Sequence, residues 1–111
     1  MRRLVAATLL VAAAFPAMAQ DPAGDPLAGR RLAGGRCAPC HGNDGIAVQP
    51  DAPNLAGQNP IYTATQLANY RSGARQHEQM TILAEGLTDA QIADLAAWYA
   101  ALQVTVAVPG R

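Results

Sequence analysis

The chain has 111 residues, which is enough for one small domain. Its formal charge is zero, with no lysine, so the sequence lacks the basic footprint that nucleic-acid binding requires. Half of the residues are hydrophobic, but many of them are alanines, and large aliphatic side chains are few. A small domain of this composition usually needs a metal or cofactor to complete its core. We therefore expect a large apolar group at its centre.

Residues 1–19 are predicted to be a secretory signal peptide. Two arginines follow the initiator methionine, residues 4–15 are uncharged and apolar, and Ala17-Met18-Ala19 is a small-x-small cleavage site. A retained membrane anchor is the alternative, but the apolar stretch is shorter than the ~20 residues that span a bilayer core. The mature chain is expected to begin at Gln20 and to be exported to the periplasm.

The rest of the sequence predicts a domain over residues 26–103, between a flexible leader (20–25) and a C-terminal tail (104–111). Its first helix begins at Asp25-Pro26, an N-cap followed by a proline at the first helical position. We expect this helix to end at Gly34-Gly35. Residues 42–58 are rich in Gly, Asn, Asp and Pro and are predicted to form a loop.

Two further helices follow. The second begins at Asn59-Pro60 and is predicted to end near Arg71, before Ser72-Gly73. Residues 76–87 are predicted to be a polar loop with room for one helical turn. Thr88 and Gln91 form a capping box that opens the strongest helix, which is predicted to end near Leu102. One face of this helix is apolar, at Ile92, Leu95, Ala96, Tyr99 and Leu102.

The tail alternates like a strand over residues 104–108, without an obvious partner. No strand–helix–strand pattern occurs elsewhere. The sequence therefore predicts an all-α domain.

The segment that most clearly indicates a chemical function is Cys37-Ala38-Pro39-Cys40-His41. The Cys-x-x-Cys-His pattern is typical of c-type haem attachment. Two thiols at this spacing can reach the two vinyl groups of one haem, and the histidine then lies under the iron. The sequence therefore predicts one covalent haem c, attached at Cys37 and Cys40, with His41 as an iron ligand.

Three other interpretations of the motif compete with haem attachment. A disulfide between Cys37 and Cys40 would close a very small loop and stabilise little. A thiol–disulfide oxidoreductase requires a strand before the motif, which the sequence does not indicate. A zinc site with His41 and His77 would use adjacent Cys and His ligands, unlike the spacings of structural zinc sites.

Met80 is the candidate for the second iron ligand, because it is the only methionine left after the predicted cleavage. A Met/His pair raises the reduction potential of a haem iron. The alternative is a methionine that only fills the core, but Met80 follows a polar stretch with no helical stripe. His77 is the other candidate ligand.

Several motifs together resemble the small bacterial class I cytochromes c, close to the single-haem cytochrome c-553 type and to one half of two-haem periplasmic cytochromes. The resemblance covers residues 27–102. It is carried by Gly29, Cys-x-x-Cys-His-Gly (37–42), Pro53-Asn-Leu-Ala-Gly57, Tyr70-Arg-Ser-Gly-Ala-Arg75, Met80, Leu87-Thr-Asp and the helix that contains Trp98.

The resemblance implies a class I cytochrome c fold, with three main helices around one covalently bound haem. It implies that the Pro53 carbonyl accepts a hydrogen bond from the second ring nitrogen of His41, which would fix the tautomer of the ligand. It also implies that Gly29 allows a close crossing with the last helix near Leu95 and Trp98. Ala33 and Ile82 depart from the family, which often has an aromatic residue and a proline at these positions.

These features predict a periplasmic electron-transfer protein with His/Met ligation, which carries one electron and is not an enzyme. The alternative is a haem c subunit of a larger dehydrogenase or oxidase complex, for which the valine-rich tail could supply an apolar patch. The expected partners are redox proteins, with contact to membranes only through a membrane-bound partner, and the chain is expected to be a monomer or weak dimer. Ala38, Ile82 and Leu83 are candidates for the docking rim, unless the last two are core.

Overall fold

The computed structural model describes residues 23–111, so the predicted signal peptide and the start of the leader lie outside the described residues. The described chain is all-α, as predicted, and contains no strand in that part of the sequence. Its helices are α1 (Pro26–Arg36), α2 (Ala38–His41), α3 (Pro60–Ser72), α4 (Glu78–Glu85) and α5 (Asp89–Ala101). None of these helices is long and apolar enough to cross a membrane.

The predicted start of α1 is confirmed, because the Asp25 carboxylate accepts a hydrogen bond from the Leu27 amide at 2.8 Å. The Asp25 amide in turn donates to Asp94 Oδ1 at 2.7 Å, which ties the start of α1 to α5. The helix continues past the two glycines that were expected to end it. The amide of Cys37 still bonds the Ala33 carbonyl at 2.8 Å, so α1 delivers Cys37 directly to the next helix.

Gly29 is buried where α1 crosses α5. A Cβ added at Gly29 would overlap the Asp94 carbonyl oxygen and would lie 2.8 Å from Trp98 Cβ. The close crossing that was expected near Leu95 and Trp98 is therefore present, and it is centred on Asp94 and Trp98. Only a residue without a side chain permits this approach of the two helices.

Local capping defines α3 and α5, as predicted. The Asn59 side chain accepts hydrogen bonds from the first amides of α3, and Gly73 ends that helix with a φ of +83°. Both bonds of the capping box between Thr88 and Gln91 are formed at the start of α5. The predicted apolar face of α5 is buried at Ile92, Leu95, Ala96 and Tyr99.

The prediction of a polar loop over residues 76–87 is wrong, because eight of these residues form α4. Met80, Ala84 and Leu87 are spaced as one face of a helix, and Ala84 is fully buried. This stripe was missed because the first turn of α4 is polar. Tertiary packing of the buried face therefore stabilises a helix whose sequence signal is weak.

The alternating residues 104–108 of the tail, for which the sequence offered no strand partner, form no regular secondary structure. The tail begins against the long loop: a Cβ at Gly57 would lie 3.0 Å from a methyl group of Val104. The Gly57 amide donates to the Tyr99 carbonyl at 2.8 Å. The end of α5 and the loop are thus joined at this point.

We expect Gly29→Ala to lower the free energy of unfolding by about 1–3 kcal/mol, the usual cost of overpacking. Gly34→Ala is the matched control, because Gly34 lies in the same helix with no atom near its added Cβ. The control is expected to gain about 0.5–1 kcal/mol from better helix propensity. Guanidinium unfolding of the two holoproteins measures both values, and equal stability of the variants would contradict the close crossing.

Candidate functional site

A cavity of about 360 Å³ lies at the centre of the domain. Its walls come from the Cys37–His41 segment, the loop before α3, and the inner faces of α3, α4 and α5. The size falls within the ~300–1,000 Å³ that is typical of cofactor sites. All five predicted site residues line it: Cys37, Cys40, His41, Pro53 and Met80.

The short helix α2 presents the Cys-x-x-Cys-His motif to the cavity. His41 is buried, and its Nδ1 lies 2.8 Å from the Pro53 carbonyl oxygen. Because a carbonyl can only accept, Nδ1 carries the proton and Nε2 keeps the lone pair that a metal can use. The contact that the resemblance implies is thus present in the structure.

The loop that carries Pro53 is irregular but is held by its own hydrogen bonds. The amides of Leu55 and Ala56 donate to the Gly45 carbonyl at 2.7 and 3.0 Å. The Asn54 side chain accepts from the Ala47 amide at 2.7 Å. These bonds fix the position of the Pro53 carbonyl and, through it, the orientation of the His41 ring.

Met80 is partly buried and lies in the first turn of α4. His77 caps this helix, because its Nδ1 accepts from the amides of Gln79 and Met80 at 3.3 and 3.4 Å. The other end of α4 leads to Leu87, whose carbonyl accepts from Arg71 at 3.1 Å. Both ends of the segment that carries Met80 are therefore fixed.

The rival interpretations of the motif have no support in this geometry. Cys37 and Cys40 are not joined by a disulfide. Helix α1, rather than a strand, precedes them. Among the described residues, no three His, Cys, Asp or Glu side chains come together as a metal site would require, so His77 does not complete a zinc site.

Two arginines in the cavity wall were not predicted as site residues: Arg36 and Arg75. The Arg75 guanidinium lies 4.7 Å from the centre of the Tyr70 ring and donates to Gln66 Oε1 at 2.9 Å. Arg75 belongs to the Tyr70–Arg75 motif that carries the family resemblance, so the motif was the available signal. Guanidinium groups suit carboxylates, and a haem has two.

Tyr99 is the third site residue that was not predicted, since the sequence indicated only that it lies on the buried face of α5. Burial raises the pKa of the Cys37 thiol, while the neighbouring Tyr99 hydroxyl and the charge of Arg36 act in the opposite direction. Burial also raises the pKa of Tyr99 far above its ordinary value, and the neighbouring Cys37 raises it further. The two side chains are therefore close neighbours in the cavity wall.

The residues present fit a haem. The cavity is walled mainly by apolar side chains such as Leu67, Leu87 and Leu95. It also holds two thiols and a histidine with a directed Nε2, together with a thioether from a different helix. This is the set of groups that attaches and ligates a haem c.

Comparisons with known proteins agree with this fit. The pattern that defines the family "Cytochrome c" matches residues 27–103. Cytochrome c4 of Thiocapsa roseopersicina is 48% identical over 77 residues, which cover 69% of this chain and 40% of that protein. Cytochrome c-554(548) of Halomonas halodenitrificans is 44% identical over 80 residues, which cover 69% of this chain and 95% of that protein.

A solved structure is similar in fold. The thiosulfate dehydrogenase of Marichromatium purpuratum superposes with a TM-score of 0.64 at 40% identity, over 70% of this chain and 19% of that one. The chain spans less than half of the length of the cytochrome c4 relative, and nearly all of cytochrome c-554(548).

The family match covers most of the chain, and the fold is that of the structural relative. The chain belongs to the cytochrome c family and is a single all-α class I domain that carries a covalently bound haem c.

Proposed function

We propose that the protein is a periplasmic one-electron carrier that makes and breaks no substrate bond. The observation that supports this function most is the presence of the Cys-x-x-Cys-His motif and Met80 in the wall of one central cavity. A bound haem supplies the one-electron change of its iron between the ferrous and ferric states. The chain binds the haem, orients its ligands and excludes water from it.

In this proposal, Cys37 and Cys40 attach the haem, and His41 binds the iron through Nε2. The hydrogen bond to Pro53, 2.8 Å long, holds the imidazole in the required tautomer. Met80, in helix α4, would supply the second ligand of the iron. Side chains held in place by the fold would keep the reorganisation on electron transfer small.

We expect Met80→Ala to abolish the weak sulfur-to-iron charge-transfer band at the near-infrared edge of the ferric spectrum. The band requires a thioether sulfur bound to the iron, and Met80 is the residue expected to supply it. Glu85→Ala is the control, because Glu85 is exposed at the other end of α4 and its loss is expected to leave the band intact. If the wild type lacks the band, another group, such as His77, is the ligand.

We expect the chain without haem to be largely unfolded. Tyr99 and Leu95 are the largest side chains that are fully buried in the described chain, so little apolar area is buried without the cofactor. A variant with Cys37→Ala and Cys40→Ala, prepared without haem, is expected to show little helix by far-ultraviolet circular dichroism, unlike the wild-type holoprotein. A helical apo-chain that unfolds cooperatively would contradict this.

The second candidate function is that of a haem c subunit in a larger complex. Three exposed valines of the tail favour it: Val104, Val106 and Val108. Similarity to part of a thiosulfate dehydrogenase points in the same direction. Capture of the tagged protein from native periplasm, followed by mass spectrometry, separates the alternatives: a stoichiometric partner that survives gel filtration indicates a subunit, and weak or transient partners indicate a carrier.

Docking of a carrier to its partners is proposed to occur at the apolar rim near the haem. Ile82 and Leu83 are exposed rather than core, at 69% and 37% of their surface, and Leu83 also lines the cavity. The mature chain is expected to have six arginines and eight acidic residues, which is too balanced for strong steering by charge. Apolar contacts would then dominate the encounter with the partner.

We expect the second-order rate of electron transfer to the native partner to change little between low and physiological salt. Ile82→Asn is expected to lower this rate several-fold, while Leu27→Asn, at an equally exposed position of α1, leaves it unchanged. A fall of roughly tenfold or more with added salt, the signature of steering, would instead assign docking to Arg30, Arg31 and Arg36 or to the acidic residues.

A further inference from the structure

The hydroxyl of Tyr99 is buried without a hydrogen-bond partner. Tyr99 is 2% exposed. Among the buried side-chain nitrogen and oxygen atoms of the described residues, its hydroxyl oxygen is the one without a hydrogen-bond partner. Buried phenols are normally paired, because desolvation of an unpaired hydroxyl is unfavourable. The cavity beside it therefore has to supply an acceptor when the haem is bound.

The sulfur of Cys37 is the neighbour that fits this need. The two side chains perturb the pKa values of one another, both line the cavity, and Cys37 packs against the core that contains Tyr99. In the described chain the Tyr99 hydroxyl forms no hydrogen bond, so it is free to donate one to this sulfur.

Backbone contacts hold Tyr99 in place from the other side. Its carbonyl accepts from the Gly57 amide at 2.8 Å, so the residue also joins α5 to the loop of Pro53. Arg36, the charged group nearest to Cys37 in the same wall, has no acceptor atom to offer the phenol. The carboxylates of a haem lie on the edge of the porphyrin that is remote from the vinyl groups, which excludes them as acceptors beside Cys37.

We propose that Tyr99 is a positioning residue for the haem, whose hydroxyl donates a hydrogen bond to the Cys37 sulfur once that sulfur has become a thioether. The inference rests on the proposed attachment at Cys37. A thioether has no proton, so the phenol can only be the donor. The bond orients the sulfur and withdraws electron density from the porphyrin, which favours the reduced iron.

The test uses the ferrous holoprotein and the carbon–sulfur stretching bands of its resonance Raman spectrum. Exchange of the phenol proton in D₂O is expected to shift one of these bands in the wild type. Tyr99→Phe is expected to abolish this isotope shift and to lower the reduction potential. Tyr62→Phe, at a half-exposed tyrosine of α3, is the matched control and is expected to keep both wild-type values.

Covalently bound haem whose carbon–sulfur bands are insensitive to D₂O would overturn the inference and leave the proposed function intact. The wild-type measurement alone decides this point, even if Tyr99→Phe does not accumulate as holoprotein. A wild-type chain that matures without covalent haem, seen as the apo-mass, would overturn the attachment itself and with it the proposed function.

Discussion

The contact of α1 with α5 determines how the haem-attachment motif meets the cavity wall that α5 provides. Gly29 brings the two helix backbones together at Asp94 and Trp98, and the bond from the Asp25 amide to Asp94 holds the start of α1 in the same register. From this fixed crossing, α1 delivers Cys37 into the cavity. Helix α5 places Leu95 and Tyr99 in the wall of the same cavity. The crossing at Gly29, where no side chain separates the two backbones, therefore sets the position of the attachment motif relative to that wall.

The cavity takes the place that a hydrophobic core occupies in other small domains. Few large side chains are fully buried, and the apolar residues around the cavity face one another across it rather than filling it. A haem attached by two thioethers cannot leave, so it acts as permanent core volume as well as the redox centre. The same bonds therefore couple folding to function, as in small domains that depend on a metal.

The proposed electron-transfer role is supported by a rigid set of iron ligands and by exposed apolar side chains near the cavity. Hydrogen bonds fix His41 through Pro53, and α4 is capped at His77 and tied to α3 through Arg71. Ile82 and Leu83 remain exposed, and they form the apolar surface at which docking to a redox partner is proposed. A carrier needs such weak docking, because the complex has to dissociate after each electron.

Much of the fold and part of the site could be predicted from local sequence. The caps at Asp25, Asn59 and Thr88 mark helix starts because each side chain satisfies amides of its own first turn. The Cys-x-x-Cys-His motif identifies the cofactor because its residues are adjacent in the chain. These interactions span only a few residues, so their signals survive in the sequence without knowledge of the fold.

Tertiary structure alone decided the features that depend on distant parts of the chain. Helix α4 was missed because its polar first turn hides the stripe of Met80, Ala84 and Leu87, and burial of Ala84 against other helices stabilises it. The shared cavity wall brings together Cys37 and Tyr99, which are far apart in the sequence. The rim positions Ile82 and Leu83 could be core or surface by sequence, and only the packing of α4 exposes them. Local sequence patterns predict which helices form, whereas the close crossing at Gly29 determines which faces of α1 and α5 meet.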